Sequence, residues 1–212
     1  TAIGYHSMFG HTTGAHNTGL GRTTLNANSS GGYNVAVGNA ALASNTTASN
    51  NVAVGRSAMN ANTTGKSNTA VGYEALFSYD VTDNDHDYNV GVGFRAGKAI
   101  STGSQNIFIG GNSGAGGTIT GSHNVGVGQN SMYNLTSGSS NTSIGGFAGS
   151  GHALNDITTG SSNVAVGAGA LHANTTASSN TALGTQALHA NTTGALNTAV
   201  GATSMDACTT AS

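Results

Sequence analysis

The sequence predicts an all-β fold, a parallel β-solenoid or β-roll built from twelve coils of seventeen residues each. Two observations lead to this prediction. A motif that ends in Gly recurs along the whole chain, and the three residues before that Gly alternate as they do in a β-strand. Helical repeats do not fit, because a unit of two helices needs about 33 residues and these repeats are crowded with Gly, Asn and Thr.

The motif recurs with a fixed period. Eight of the eleven intervals between successive copies are seventeen residues long, and the other three are longer by one, four and five residues. We therefore expect loop insertions near residues 78–88, 111–122 and 149–162, within a single solenoid domain that spans residues 1–212 and is a fragment of a longer chain. The closing glycines are Gly4, Gly21, Gly38, Gly55, Gly72, Gly93, Gly110, Gly128, Gly145, Gly167, Gly184 and Gly201.

Each copy is numbered here from Asn at position 1 to Gly at position 5, and each position has a narrow choice of residues. Position 2 is Val, Thr or Ile, position 4 is always aliphatic, and position 3 is Ala, Gly or Ser except at Phe108. Because alternate residues of a strand face opposite sides, we expect positions 2 and 4 to face the core and position 3 to face away from it. The Gly fits a turn with positive φ or a close backbone approach.

A second apolar position follows at position 9, which is Leu or Met in nine copies and is assigned to Gly97, Gly114 and Gly149 in the others. Asn-Thr-Thr bends recur at one place in the repeat, which indicates turns rather than glycosylation sites. A unit of this length cannot bury its own apolar side chains. Stacked coils can bury them, because positions 2, 4 and 9 then form continuous aliphatic ladders.

Composition limits the function. Only 12 of the 212 residues are charged and the net charge is −2, so the chain lacks the basic stripe of a nucleic-acid-binding protein. No apolar run approaches the roughly 18 residues of a spanning helix, so we expect no membrane insertion. The single cysteine, Cys208, excludes an internal disulfide. No nucleophile elbow or phosphate-binding loop is present, and we therefore do not expect an enzyme.

Several runs resemble the repeats of bacteriophage tail-fibre proteins and of related bacterial trimeric surface fibres. They are NTAVGYEAL (68–76), NVAVGRSAMNANTTG (51–65) and NTALGTQALHANTTGALNTAVG (180–201). They are also similar to the shorter repeats in the heads of trimeric autotransporter adhesins. The resemblance implies a left-handed parallel β-roll in each chain and three chains side by side in a homotrimer. It further implies an extracellular fibre, on a virion tail or a bacterial surface, that attaches to a glycan or protein receptor on a cell.

The segment SYDVTDNDHDYN (78–89) contains four of the seven acidic residues of the chain. Alternating carboxylates can surround Ca²⁺, which takes six to eight oxygen ligands, although the spacing does not match an EF-hand loop. A solvated acidic loop or a receptor-contacting tip is the alternative. No other cofactor is expected. The candidate calcium ligands are Asp80, Asp83, Asp85 and Asp87.

Receptor contact is predicted for polar and aromatic residues at the insertions, because amphipathic rings beside polar groups suit carbohydrate binding. These candidates are Tyr79, His86, Tyr88, His152 and Asp156. His172 and His189 share position 10 one coil apart and are expected to stack about 5 Å from each other. Since the same position accepts Phe, Asn, Ala and Tyr in other copies, we interpret these two histidines as surface or interface residues rather than metal ligands.

Two other functions compete with a fibre segment. Flat β-solenoids with Thr ladders can bind ice, but Thr here occurs as adjacent pairs such as Thr63 and Thr64, and adjacent residues of a strand face opposite sides. A solenoid that binds or degrades polysaccharide is the other alternative. Degradation needs paired carboxylates, and outside the acidic segment the only acids are Glu74, Asp156 and Asp206.

Overall fold

The computed structural model describes residues 1–80, 87–146 and 151–210, and it is a parallel β-solenoid of about twelve turns. Each coil contributes one short strand followed by a turn at the corner Gly, and no α-helix occurs among the described residues. The all-β solenoid prediction is therefore confirmed. The strands are β1 (Ala2–Ile3), β2 (Thr18–Leu20), β3 (Val35–Val37), β4 (Val52–Val54), β5 (Thr69–Val71), β6 (Val90–Val92), β7 (Ile107–Ile109), β8 (Val125–Val127), β9 (Thr142–Ile144), β10 (Val164–Val166), β11 (Thr181–Leu183) and β12 (Thr198–Val200).

The coils divide into two compact units, residues Thr1–Gln105 and Asn106–Ser212. Strands β1 to β6 form a parallel ladder in the first unit, and β7 to β12 form another in the second. Partners occupy the same repeat position, so that Val35 pairs with Val52 and Val52 pairs with Thr69. One repeat of the sequence is therefore one coil of the solenoid. The same repeat continues through both units.

The strands face the opposite way from the sequence prediction. The side chain of Ala53 at position 3 is fully buried, whereas Val35 at position 2 is 37% exposed and Val71 at position 4 is 36% exposed. The reason is the narrow interior of the coil. A Cβ added to Gly91, at position 3, would lie 2.9 Å from Cγ of Leu76, at position 9. Position 9 fills the interior, as predicted, and leaves room for only a small residue at position 3.

The exceptions to the repeat fit this packing. Phe108 is fully buried at position 3, and a Cβ on Gly114 would lie 2.8 Å from its Cε1 atom, so Gly at position 9 makes room for the ring. In the coil with Gly97 at position 9, Ile100 at position 12 is fully buried. The ring of Phe108 thus occupies space that a large side chain at position 9 would need in its own coil.

The third exception, Gly149, results from counting position 9 directly from Gly145 in the sequence. Leu154, rather than Gly149, occupies position 9 of its coil, because it is fully buried and its N–H donates to the carbonyl of Ala170 at 3.0 Å, as Leu171 does to Ala187. Residues 153–162 then follow the ordinary repeat, and the extra residues of this coil precede them. Gly149 itself lies outside the described residues.

The corner Gly at position 5 has both a positive φ and a close backbone approach, the two properties that its recurrence in the sequence indicated. Gly38 has a φ of +121°, a conformation that residues with a Cβ rarely adopt. A Cβ at this position would also lie 2.7 Å from the carbonyl carbon of Gly55 in the next coil. Close stacking of the corners therefore requires Gly at position 5.

Asn at position 1 connects successive coils through its side chain. Oδ1 of Asn163 accepts a hydrogen bond from the backbone N–H of Asn180 in the next coil at 3.0 Å. Its Nδ2 donates to the carbonyl of Ala177 at 2.9 Å and to Oδ1 of Asn141 at 3.0 Å. These amides are buried, so the column satisfies polar groups that water does not reach.

Candidate functional site

The structure places two of the four candidate calcium ligands, and both belong to the hydrogen bonding between coils. Oδ1 of Asp80 accepts hydrogen bonds from the hydroxyl of Thr63 and, at 3.1 Å, from its backbone N–H. In an ordinary coil this N–H binds a backbone carbonyl, as Thr46 binds Thr63 at 2.9 Å. The carboxylate of Asp80 therefore replaces a carbonyl where the chain departs from the repeat.

Asp87 is buried, and its Oδ2 accepts a hydrogen bond from the backbone N–H of Lys66 at 2.9 Å. Asp87 occupies position 16 of the repeat. Ser is the usual residue at this position, and its hydroxyl accepts a hydrogen bond from the N–H at position 16 of the preceding coil, as Oγ of Ser161 does from Ser139 at 3.1 Å. Both described carboxylates thus have structural partners. Among residues 1–80, 87–146 and 151–210, no group of three His, Cys, Asp or Glu side chains is placed to hold a metal ion.

The remaining acidic candidates, Asp83 and Asp85, lie outside the described residues, as does His86. Calcium binding by the acidic segment therefore stays a prediction. The four extra residues of this coil also fall between 81 and 86, since Asp80 and Asp87 on either side occupy ordinary repeat positions.

Tyr79 and Tyr88, both predicted to contact a receptor, differ in exposure. Tyr79 is fully buried, so its prediction as a contact residue is wrong. It occupies the corner at position 12, and a Cβ on Gly65 of the preceding coil would lie 2.6 Å from its Cε1 atom. The ring thus fills space that Gly65 leaves. Tyr88 is 54% exposed and remains accessible.

His152 and Asp156 both contact His172. The Nδ1 atom of His172 lies 3.1 Å from the carbonyl oxygen of His152, and the N–H of Asp156 donates to the carbonyl of His172 at 3.3 Å. Burial lowers the pKa of His152, and charge repulsion from His172 lowers it further. The rings of His172 and His189 are stacked, with centroids 5.2 Å apart. The expected histidine stack is therefore present, and His152 of the preceding coil contacts it through its backbone carbonyl.

The outward side of the strands forms an exposed aliphatic face in each unit. We define the strand face as the side chains at positions 2 and 4, which strand pairing aligns from coil to coil. Position 4 is never polar, and the exposed fraction reaches 45% at Leu20, 43% at Leu183 and 66% at Val200. Contiguous apolar surface of this kind is typical of sites that contact another molecule.

A second exposed group occurs in the first unit at position 6, directly after the corner Gly. We define the position 6 ridge as Arg56, Tyr73 and Phe94, which lie one coil apart. The rings of Tyr73 and Phe94 are stacked with centroids 5.3 Å apart, and Cζ of Arg56 lies 5.6 Å from the centroid of Tyr73. The sequence prediction missed the ridge. The sequence does indicate the ridge, because basic and aromatic residues recur at this one repeat position.

Charged side chains flank the ridge. Oε2 of Glu74 accepts hydrogen bonds from Nε of Arg95 at 3.0 Å and from Nζ of Lys98 at 2.7 Å. Together with a hydrogen bond from Tyr73, these cations lower the pKa of Glu74 to about 2, Lys98 having the largest effect. Cζ of Arg95 also lies 4.9 Å from the ring centroid of Phe94. The carboxylate is therefore ionised at neutral pH and neutralises part of the positive charge here.

No protein-family model matches the chain, and no curated protein or solved structure matches it. Within the described ranges, no helix is long and apolar enough to cross a membrane.

Proposed function

We propose that the chain is a structural and adhesive segment of a homotrimeric extracellular fibre, on a virion tail or a bacterial surface, and that it performs no catalysis. The observation that carries the proposal is the strand face. A β-solenoid with an exposed, uncharged and mostly aliphatic sheet surface has a surface suited to burial against a copy of itself.

The strand face suits association between identical chains. Its rungs are parallel and in register, and strand neighbours in a sheet lie about 4.8 Å apart, so a second copy can present side chains with the same spacing. Charged residues, which are costly to bury, do not occur at positions 2 or 4 in any coil. The polar bends at positions 13 and 14 remain outside such an interface and would stay hydrated.

The acidic side chains support a role without catalysis. Glu74 is held as an ion by Lys98 and Arg95, which is unsuitable for a general acid near neutral pH. Asp80 and Asp87 accept hydrogen bonds from backbone N–H groups between coils. Both aspartates thus contribute to the stacking of the coils, which is a structural role.

The mass of the chain in solution tests the assembly. We expect sedimentation equilibrium to give three times the chain mass of 20.6 kDa. Val166→Lys combined with Leu183→Lys places two charges on the strand face and is expected to yield monomers, because desolvating ammonium groups is costly. The matched control is Thr176→Lys combined with Thr193→Lys, at exposed bends of the same two coils.

The control variant should keep the mass of the unsubstituted protein. A monomeric mass for the unsubstituted protein would overturn the proposed fibre assembly. A trimeric mass for the Val166 and Leu183 double variant would show instead that the strand face is not the interface.

Ice binding is the second candidate, and one observation favours it. Thr occurs at position 2 on the outward strand face in six coils, beside the aliphatic residue at position 4. The Thr pairs of the bends do not contribute to this surface, since Thr46 Oγ1 donates to the carbonyl of Thr63 at 3.0 Å. Thermal hysteresis of the protein in solution would support this function over the fibre, and its absence would eliminate it.

A further inference from the structure

The position 6 ridge is the clearest chemical difference between the two units. In the first unit, position 6 is Tyr5, Arg22, Asn39, Arg56, Tyr73 and Phe94. In the second unit, it is Gly111, Gln129, Gly146, Ala168, Thr185 and Ala202. The coil forms equally well with small neutral residues at this position. The aromatic and basic side chains of the first unit are therefore not required by the fold.

The cations of the chain have the same distribution. All five Lys and Arg residues lie between Arg22 and Lys98, so the whole second unit lacks Lys and Arg. Around the ridge, Arg95 and Lys98 bind the carboxylate of Glu74, and Arg56 lies against the ring of Tyr73. Three positive charges against one negative charge leave an excess of two. Within the part of the chain that the structure describes, Arg56 forms no ion pair with a carboxylate.

Two of the three ridge side chains are exposed, and the rings are held in fixed positions. Phe94 is 50% exposed and Arg56 is exposed as well, whereas Tyr73 between them is half-buried. The two rings are only 14° from parallel, and Arg56 and Arg95 both lie within 6 Å of the centroid of Tyr73. Cation–π contacts of this kind hold a guanidinium beside an aromatic ring and leave its edge free for hydrogen bonds.

We propose that the position 6 ridge binds an acidic polysaccharide that contains uronic acid residues. Aromatic rings present an apolar surface to the C–H face of a sugar ring, and a guanidinium recognises a carboxylate through two parallel hydrogen bonds. Cations and aromatic rings that follow one another from coil to coil match a polymer in which sugar rings and carboxylates repeat. This assignment rests on the adhesive function proposed above and identifies the class of receptor.

Charge favours this ligand over a nucleic acid. Nucleic acids depend on many simultaneous phosphate contacts, and the chain has a net charge of −2 and only five basic residues. A polymer with one carboxylate per sugar needs fewer charge contacts and gains from contact with the rings. Binding should weaken with salt, but only to the extent expected for two or three ion pairs.

Binding of the intact protein to immobilised polygalacturonate tests the assignment, with dextran and single-stranded DNA as comparison ligands. Arg56→Ala and Tyr73→Thr introduce the residue types found at position 6 of the second unit, and each should weaken polygalacturonate binding at least tenfold. The control variants are Gln129→Ala, at position 6 of the second unit, and Tyr33→Ala, which removes a ring that is 62% exposed elsewhere. Both should bind as the unsubstituted protein does.

Thermal unfolding and solution mass are measured for every variant, so that loss of binding is separated from loss of fold or assembly. A trimer that does not bind polygalacturonate, or that binds it equally with and without Arg56, overturns the ridge assignment and leaves the fibre proposal standing. Equal binding of DNA also overturns it. A monomer that binds polygalacturonate through Arg56 and Tyr73 supports the ridge and overturns the fibre.

Discussion

Two buried corners of the coil, positions 1 and 12, both carry Asn, but only one of them requires it. Position 1 is Asn in every coil whose first residue lies within the chain. Position 12 is Asn in several coils, such as those of Asn45 and Asn174, and buried Tyr79, Ile100, Leu135 or Ile157 in others. Similar burial therefore does not explain the difference.

The hydrogen bonds explain it. Asn163 at position 1 accepts from the backbone N–H of Asn180, and this donor would have no other partner nearby in the described chain. Asn174 at position 12 donates once, to the carbonyl of Ala177 at 3.2 Å, and that carbonyl also accepts from Asn163. Among the described residues, Oδ1 of Asn174 has no hydrogen-bond partner. Replacing Asn163 thus leaves a buried backbone group unsatisfied, whereas replacing Asn174 does not.

The first unit shows what position 12 gains from Asn. Nδ2 of Asn45 donates to Oδ1 of Asn28 at 2.7 Å, and Nδ2 of Asn62 donates to Oδ1 of Asn45 at 3.2 Å. This row ends at Oδ1 of Asn62, which is buried and has no hydrogen-bond partner among the described residues. Nδ2 of Asn45 also donates to the carbonyl of Ala48 at 3.1 Å, and that carbonyl has a second donor in Asn34 at position 1. Because no backbone group here depends on position 12 alone, a group of apolar residues can replace a group of amides.

The largest expected effect is at position 1. Asn163→Leu removes the acceptor for the N–H of Asn180 and should lower the free energy of unfolding by about 3 kcal/mol, since an unsatisfied buried group costs about 1–3 kcal/mol and further hydrogen bonds are lost as well. Chemical denaturation of the purified protein measures this change. A loss below about 1 kcal/mol would contradict the essential role of the position 1 column.

An intermediate effect is expected when an amide replaces an apolar residue at position 12. Leu135→Asn loses the burial of a fully buried Leu, worth about 1.5–3 kcal/mol, and a new hydrogen bond to the carbonyl of Gly138 offsets only part of this loss. We expect the free energy of unfolding to fall by about 2 kcal/mol in the same denaturation assay. Leu135→Met is the control that keeps the apolar volume and should cost less than about 1.5 kcal/mol.

The smallest effect is expected for Asn174→Leu, which makes the same substitution as Asn163→Leu in the same coil. No backbone group loses its last partner, because Asn163 still donates to the carbonyl of Ala177. The change in unfolding free energy should stay within about 1 kcal/mol in either direction. If both variants lost equal stability, the distinction between the two corners would be refuted.

The sequence predicted the repeat and most of its special positions. Gly38 and Leu42 were assigned to a corner and to the core from recurrence alone, and the structure confirms both. Local signals suffice here, because a positive φ and a large apolar side chain each restrict the residue type. The candidate site was predicted less well. Tyr79 was chosen as an exposed ring, but burial depends on the neighbouring coil, where Gly65 leaves the space.

The sequence by itself determined the coil length, the all-β class and the residues that interrupt the pattern. Only the tertiary structure decided which side of each strand is inside. Alternation shows that two faces differ, but it is symmetric and does not identify the inner one. That choice depends on volume: Leu76 at position 9 of one coil packs against Gly91 at position 3 of the next, so the small residues turn inward and the aliphatic residues face outward.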